Sequence, residues 1–408
     1  MESAVMSKMR KYQSLVLAMA FFITGCSTDI DENKKEEKVV KEEEVTKEEK
    51  PVPQNEPNEV KEESKSTYIE HLSSWTDNKI QTKKYSISGG KCGVKSMTAP
   101  DYVDDNGIAF VDSQETQTRI MLFDRKKGTC QPIYKTNVND GIGNLTGEDG
   151  FLYWSEYDTR KMTDVDWKIK SLNLSNLKVS EIDTGGSYFE TPTPAVRIGD
   201  GTLSWVKYTA NEKTKTIQSQ LMFYDTKLKK LSIKEKDELD ESQERKGSYH
   251  IIQENLDSKN YLLYKSVFKD GEKKFTLNLN EDGEKSKVVA TEDGIIDFTY
   301  LNDYVTYTNG SSLYIYNKNK LNQAKIFKDD SINTTLDTPI FINEDTLIFR
   351  RGMEQIYILN IAKGIASPIS ESIISTSKPI YTNEILSYSV FENDEDQVNL
   401  DFYVVKIQ

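Results

Sequence analysis

Histidine and cysteine are scarce in this 408-residue chain, which has two of the first and three of the second. No H-E-x-x-H, C-x-x-C or G-x-S-x-G occurs, so zinc hydrolysis, thiol redox chemistry and nucleophile-elbow hydrolysis lose the spacings their chemistry uses. His71 lies ahead of the repeats described below, and His250 falls on an expected inner strand, where packing is the commoner role. A triad through His250 would need a serine and an acid brought to it by the fold. Positive charge is also short. The net charge is −13, with +2 on residues 1–28, −6 on residues 29–66 and −9 on the rest. Nucleic acid and anionic headgroups demand a basic patch, so no nucleic-acid partner is expected. An acidic surface suits neutral, cationic or cation-bridged partners. Nor is the leading apolar run, Leu15–Ile23, long enough to span a bilayer stably.

Two further signals fall away on inspection. Gly89-Gly-Lys-Cys-Gly-Val-Lys-Ser96 has the glycines of a phosphate loop, but Val94 breaks the G-K-[ST] order and no helix is expected after it. Acidic clusters at Asp104-Asp-Asn-Gly107, Glu281-Asp-Gly283 and Asn393-Asp-Glu-Asp396 offer oxygen ligands. None has the D-x-[DN]-x-[DN]-G order, and Asp/Asn-Gly pairs are what tight turns require. No metal or other cofactor is therefore expected.

What is present is repetition. The stretch Gly150–Asn173 reads as two strands: Phe151-Leu-Tyr-Trp-Ser-Glu-Tyr157, a short aromatic run, and Lys168-Ile-Lys-Ser-Leu-Asn173. The second hexad recurs as Arg119–Asp124, Gln220–Asp225, Lys274–Leu279, Ser312–Asn317, Gln355–Asn360 and Asp401–Lys406. Five of the seven close on Asp or Asn; Lys274–Leu279 closes on Leu and the last on Lys406. First-strand starts lie roughly 40 to 58 residues apart, the spacing of a four-stranded propeller blade. A weaker strand follows most hexads, as at Lys178–Ile182, and a short one precedes each unit, as at Thr338–Ile342. The fold class is all-β, a seven-bladed β-propeller, with six blades as the second choice. The last copy stops at Gln408 without an outer strand, whereas Lys83-Lys-Tyr-Ser-Ile-Ser88 belongs to no unit. Pairing the two, with Tyr85 and Ile87 beside Phe402 and Val404, would close the ring and hide an edge.

Ahead of the repeats, Lys8, Arg10 and Lys11 precede the apolar run, which ends Ile23-Thr-Gly-Cys26. This order resembles the signal peptide and lipobox of bacterial lipoproteins, with Ile23 standing where the family prefers Leu. The resemblance implies cleavage before Cys26, lipidation of Cys26 with diacylglycerol and palmitate-type acyl chains, and residence at the cell membrane on its extracytoplasmic side. Residues 26–66, rich in Glu, Lys and proline, cannot bury a core and read as a solvated tether. Residues 67–82 lead into the ring, and Thr67–Glu70 has the spacing of a helix capping box. The domains are thus 1–25, 26–66, 67–82 and 83–408. In an exported chain Cys92 and Cys130 read either as a disulfide or as two separate buried thiols.

The repeat region broadly resembles extracytoplasmic propellers of the TolB-like and YWTD-like kinds. The Ser-Pro-Asp-Gly motif of the former is absent, and Tyr153-Trp154 is the single approximation to the latter. The resemblance therefore implies fold and address alone. Long loops at Asp158–Asp166, Thr209–Ser219 and Glu392–Asn399 should share one face of the ring. Tyr157, Arg160, Asp164 and Tyr208 are the candidate binding residues there, with Trp154 and Trp205 expected to pack between blades. The reading is a lipid-anchored binding or scaffold module for a protein or an envelope glycan, not catalytic. The alternative is a hydrolase or lyase of envelope polymers with its site in the central channel, favoured if carboxylates cluster there with a tyrosine or histidine.

Overall fold

The computed structural model describes residues 66–68 and 80–407, apart from short stretches at 69–79, 88–91, 95–96, 162–163, 188–192, 212–215, 241–245, 252–259, 270–271, 283, 293, 322–323, 329–333, 371–374 and 395–396. Two strands, β1 (Ser66–Tyr68) and β2 (Ile80–Ser86), precede the blades. Blade 1 is β3 (Tyr102–Val103), β4 (Gly107–Ser113), β5 (Thr118–Asp124) and β6 (Thr129–Lys135). Blade 2 is β7 (Asp140–Glu148), β8 (Phe151–Asp158), β9 (Asp166–Asn173) and β10 (Val179–Gly186). Blade 3 is β11 (Arg197–Gly199), β12 (Thr202–Asn211), β13 (Thr216–Asp225) and β14 (Lys230–Asp240). Blade 4 is β15 (Lys246–Ile251), β16 (Tyr261–Lys269), β17 (Glu272–Asn280) and β18 (Lys287–Thr291). Blade 5 is β19 (Asp297–Leu301), β20 (Tyr304–Thr308), β21 (Ser312–Asn317) and β22 (Ala324–Lys328). Blade 6 is β23 (Leu336–Asn343), β24 (Thr346–Arg351), β25 (Gln355–Asn360) and β26 (Ile365–Pro368). Blade 7 is β27 (Ile380–Thr382), β28 (Ile385–Asp394) and β29 (Gln397–Ile407), completed by β2.

Seven buried apolar clusters, one at each seam between neighbouring blades, set the count at seven and exclude six. At the seam of blades 2 and 3, for example, Tyr153, Trp167 and Ile169 meet Val196, Leu203, Trp205 and Met222. The second and third strands of each blade are sandwiched on both faces, which is why they read as short unbroken apolar runs. Outer strands such as β10 face water and carry a weaker pattern.

Ring closure occurs as the pattern predicts, with Tyr85 opposite Phe402 and the Ile87 N–H donating to Leu400 O at 2.9 Å. The closing strand starts three residues earlier than expected, at Ile80, so the lead-in segment is shorter. Cys92 and Cys130 form a disulfide with Cα atoms 4.9 Å apart, tying the chain after β2 to the outer strand of blade 1. A correction concerns Ser66–Tyr68. These three residues form a strand running parallel to β22 along blade 5's open edge, which the capping-box spacing did not suggest; the helical turn expected from Thr67 onward falls mostly outside the described residues.

The Asp or Asn closing the third strands of blades 1 to 6 has a structural reason. In blade 1 Asp124 Oδ1 accepts the N–H groups of Lys126 and Lys127, both at 2.9 Å, and Asp225 Oδ1 does the same for Lys227 and Leu228. Such side chains imitate a backbone turn. The next residue then donates its N–H to the inner turn of the same blade, as Leu174 does to Gly150 O at 2.9 Å. Register places Asn280 opposite Tyr261, as Asn173 lies opposite Phe151. The blade 4 hexad is therefore residues 275–280, one residue later than Lys274–Leu279, and it closes on Asn, which leaves the last hexad, closing on Lys406, as the exception.

Candidate functional site

The strand ends aligned by these turns make one face of the ring uniform. Differences in strand length accumulate on the opposite face, where second and third strands are joined. Residues Thr209–Ser219 and Glu392–Asn399, expected as loops, are mostly strand: β12 pairs with β13 out to Asn211↔Thr216, and β28 with β29 out to Asp394↔Gln397. Antiparallel pairing satisfies the backbone of a polar hairpin as well as that of an apolar one, and so overrode their loop-like composition. β12 and β13 have ten residues each and β16 and β17 nine, against five in β20 and six in β24. Four extra residues raise a hairpin by about 13 Å. Blades 3, 4 and 7 thus stand as walls on either side of the low blades 5 and 6.

Blade 2 carries the loop that was expected, residues 159–165. Arg160 is fastened to Asp158 at 2.7–2.9 Å, and Lys161 to Asp166 at 2.9 Å. Hydrogen bonds from Arg160 hold the Asp158 carboxyl down at about 2. Asp164 is exposed, with a φ of 52°. Tyr157 is half-buried beside the Trp167 cluster. Tyr208, expected on the binding face, is buried on β12. Trp154 and Trp205 are fully buried, as anticipated. His250 sits on inner strand β15, opposite Lys265. Cys26 lies outside the described residues.

An axial cavity of about 480 Å³ is walled by inner strands of six blades. No direct signal for it was legible beforehand, because short inner strands are the least patterned part of each repeat. Much of its polar wall locks blades together. Asn144 binds both the N–H of Val196, at 2.6 Å, and its carbonyl. Thr382 and Asn383 hold Val103 across the closing seam. Next to the cavity Asp297 accepts from Thr338 N–H at 3.0 Å and from Lys378 at 2.8 Å. In blade 6 Arg350 pairs with Asp337 through two hydrogen bonds of 2.9 and 2.7 Å, both residues buried.

The titratable groups of the wall are Asp101, Glu148, Arg197 and Tyr381. Burial pushes the Asp101 carboxyl up to about 7, partly opposed by the Val111 N–H it accepts at 3.0 Å. Burial likewise raises Glu148, which takes the Gly201 N–H at 2.8 Å. Among the described residues no cluster of His, Cys, Asp and Glu is arranged to hold a metal. A second cavity of about 440 Å³ at the turn face contains Asp104, Asp124 and Asp149. Asp104 and Asp124 there are engaged in their own turns.

Fold and site together define a seven-bladed β-propeller with a polar axial cavity and one walled face. No family model matches the chain, and no curated protein matches it. Among solved structures the chain is similar to virginiamycin B lyase from Staphylococcus aureus, at 14% identity over 81% of this chain and 100% of that one, with a TM-score of 0.49. It is also similar to the propeller domain of the Trilobed protease from Pyrococcus furiosus, at 12% identity over 76% and 94%, with a TM-score of 0.45. Likeness at this level is a likeness of fold.

Proposed function

We propose that the protein is a lipid-anchored binding module on the extracytoplasmic side of the cell membrane, using its hairpin face to hold a protein or an envelope glycan. The observation that carries this reading is the unequal height of the hairpins. Raised, hydrogen-bonded walls at blades 3, 4 and 7 flank two low blades, which makes a trough suited to an elongated partner. Rigid β-hairpins hold a binding surface in place at lower entropic cost than free loops. The tether and the Ile23–Cys26 box support the address. In Cys26→Ala the protein should leave the membrane fraction, and retention there would remove the anchor. Replacing residues 211–216 by a two-residue Asn-Gly turn, which keeps Ala210 opposite Ile217, should abolish co-purification of partners from solubilised membrane while the melting temperature holds. Undiminished capture would sink the trough.

One observation favours the hydrolase or lyase reading. Asp101 and Tyr381 share the channel wall, and an acid titrating near 7 is suited to proton transfer. Release of fragments from envelope polymers, lost in Asp101→Asn, would establish it.

A further inference from the structure

Among the described residues, five of the six arginines have partners. Arg119 pairs with Asp112, Arg125 with Tyr85 and Asp104, Arg160 with Asp158 and Arg350 with Asp337; Arg351 lies over the Tyr357 ring. Arg197 is different. It opens β11 in the wall of the axial cavity, and its Nε is buried without any hydrogen-bond partner. The carboxylates in the same wall make no hydrogen bond to it; Asp101 accepts the Val111 N–H and Glu148 the Gly201 N–H. A guanidinium presents five N–H donors in a planar fork that fits a carboxylate through two parallel bonds. Leaving such a group half-desolvated and unpaired costs stability, a cost commonly accepted where a ligand later supplies the missing acceptors.

We infer that the axial cavity binds a small hydroxylated carboxylate, of the size and kind of a sugar acid, through Arg197. The cavity's other surfaces fit the body of such a ligand. Ile198, Ile340 and Ile380, half-buried in the wall, offer apolar surface to the C–H side of a ring, while Thr146 and Tyr381 offer hydroxyls to its polar edge. A volume of about 480 Å³ lies within the usual range for small-molecule sites and excludes a folded partner. This site is separate from the hairpin trough, so either can fail without the other.

The test is calorimetric titration of the full chain in detergent with glucuronate, glucose and acetate. Glucuronate should bind at least tenfold more tightly than glucose, which lacks the carboxylate, and than acetate, which lacks the ring. Arg197→Gln should erase the preference for glucuronate over glucose, and Arg197→Lys, which keeps charge but loses the fork, should fall between. Absence of glucuronate binding, or equal binding by Arg197→Gln, would overturn the inference. Acetate binding as tightly as glucuronate would overturn the sugar-acid assignment. Should Arg197→Gln fail to give a cooperative melt, Tyr381→Phe is the second variant. It should weaken glucuronate several-fold, and unchanged affinity would count against the site.

Discussion

On the turn face, Asp124, Asn173, Asp225 and Asn360 each begin a five-residue connection. Its last residue, Gly128, Leu177, Lys229 or Gly364, has a φ between 53° and 69°. On the hairpin face nothing repeats so closely: second strands run from five residues in β20 to ten in β12 and β28. A ring needs every blade to present the same wedge to its neighbours, so the geometry that sets the wedge is copied along the chain. The hairpins bear no such constraint beyond their first few residues and are free to differ. A mutation on the turn face should therefore cost stability, and one on a raised hairpin should cost binding.

The largest expected effect breaks that division where the hairpin face is lowest. Arg350 and Asp337 lie opposite each other on β24 and β23 of blade 6, buried, with Arg350 also donating to Thr376 O at 3.0 Å. Arg350→Ala strands a buried carboxylate, and denaturant titration should show a loss of about 3–5 kcal/mol. The exposed pair on blade 2 is the contrast, and Arg160→Ala should leave the midpoint in place. Equal effects at the two sites would mean that the low blades are no more structural than the loops.

The channel joins the two faces, and there pH separates folding from function. Asp101 titrates near 7 when folded and near 3.9 when unfolded, so between those values the folded state holds the extra proton. Its contribution is fully present below about pH 4 and is lost as pH rises through 7. Asp101→Asn keeps an oxygen for the Val111 N–H and removes the charge. Its stability relative to the parent should therefore climb between pH 5 and pH 8, by on the order of 2 kcal/mol. Parallel stability curves across that range would show that Asp101 is solvated.

Most of this uniform architecture was legible from hexads such as Gln355–Asn360, because strands buried on both faces must be apolar throughout. The closing strand was legible because Tyr85 and Ile87 had no other unit to join. Hairpin heights were not, since Thr209–Ser219 is polar and its strand character comes from pairing alone. The axial wall was hidden for a different reason: β11 has three residues, too few for a period, and Arg197 gains its meaning only from the blades around it. Tyr208 looked presentable by its neighbours in sequence, but it is buried on β12.

The smallest predicted effect tests the turn face most directly. Gly128 and Gly364 take the left-handed position in blades 1 and 6, at φ of 68° and 69°. In blade 2 Leu177 takes it at 56°, with its side chain 45% exposed. A side chain with a Cβ costs roughly 1–2 kcal/mol in that conformation. Glycine avoids the clash but gives back roughly 0.5–1 kcal/mol in the entropy of the unfolded chain. Little apolar burial is lost at so exposed a site, so Leu177→Gly should stabilise the ring by about 0.5 kcal/mol. Gly128→Ala should shift the denaturation midpoint the other way, with no change in slope for either variant. If Leu177→Gly proves destabilising instead, the leucine has a packing role that offsets its backbone, and the turns are less alike than their hydrogen bonds indicate.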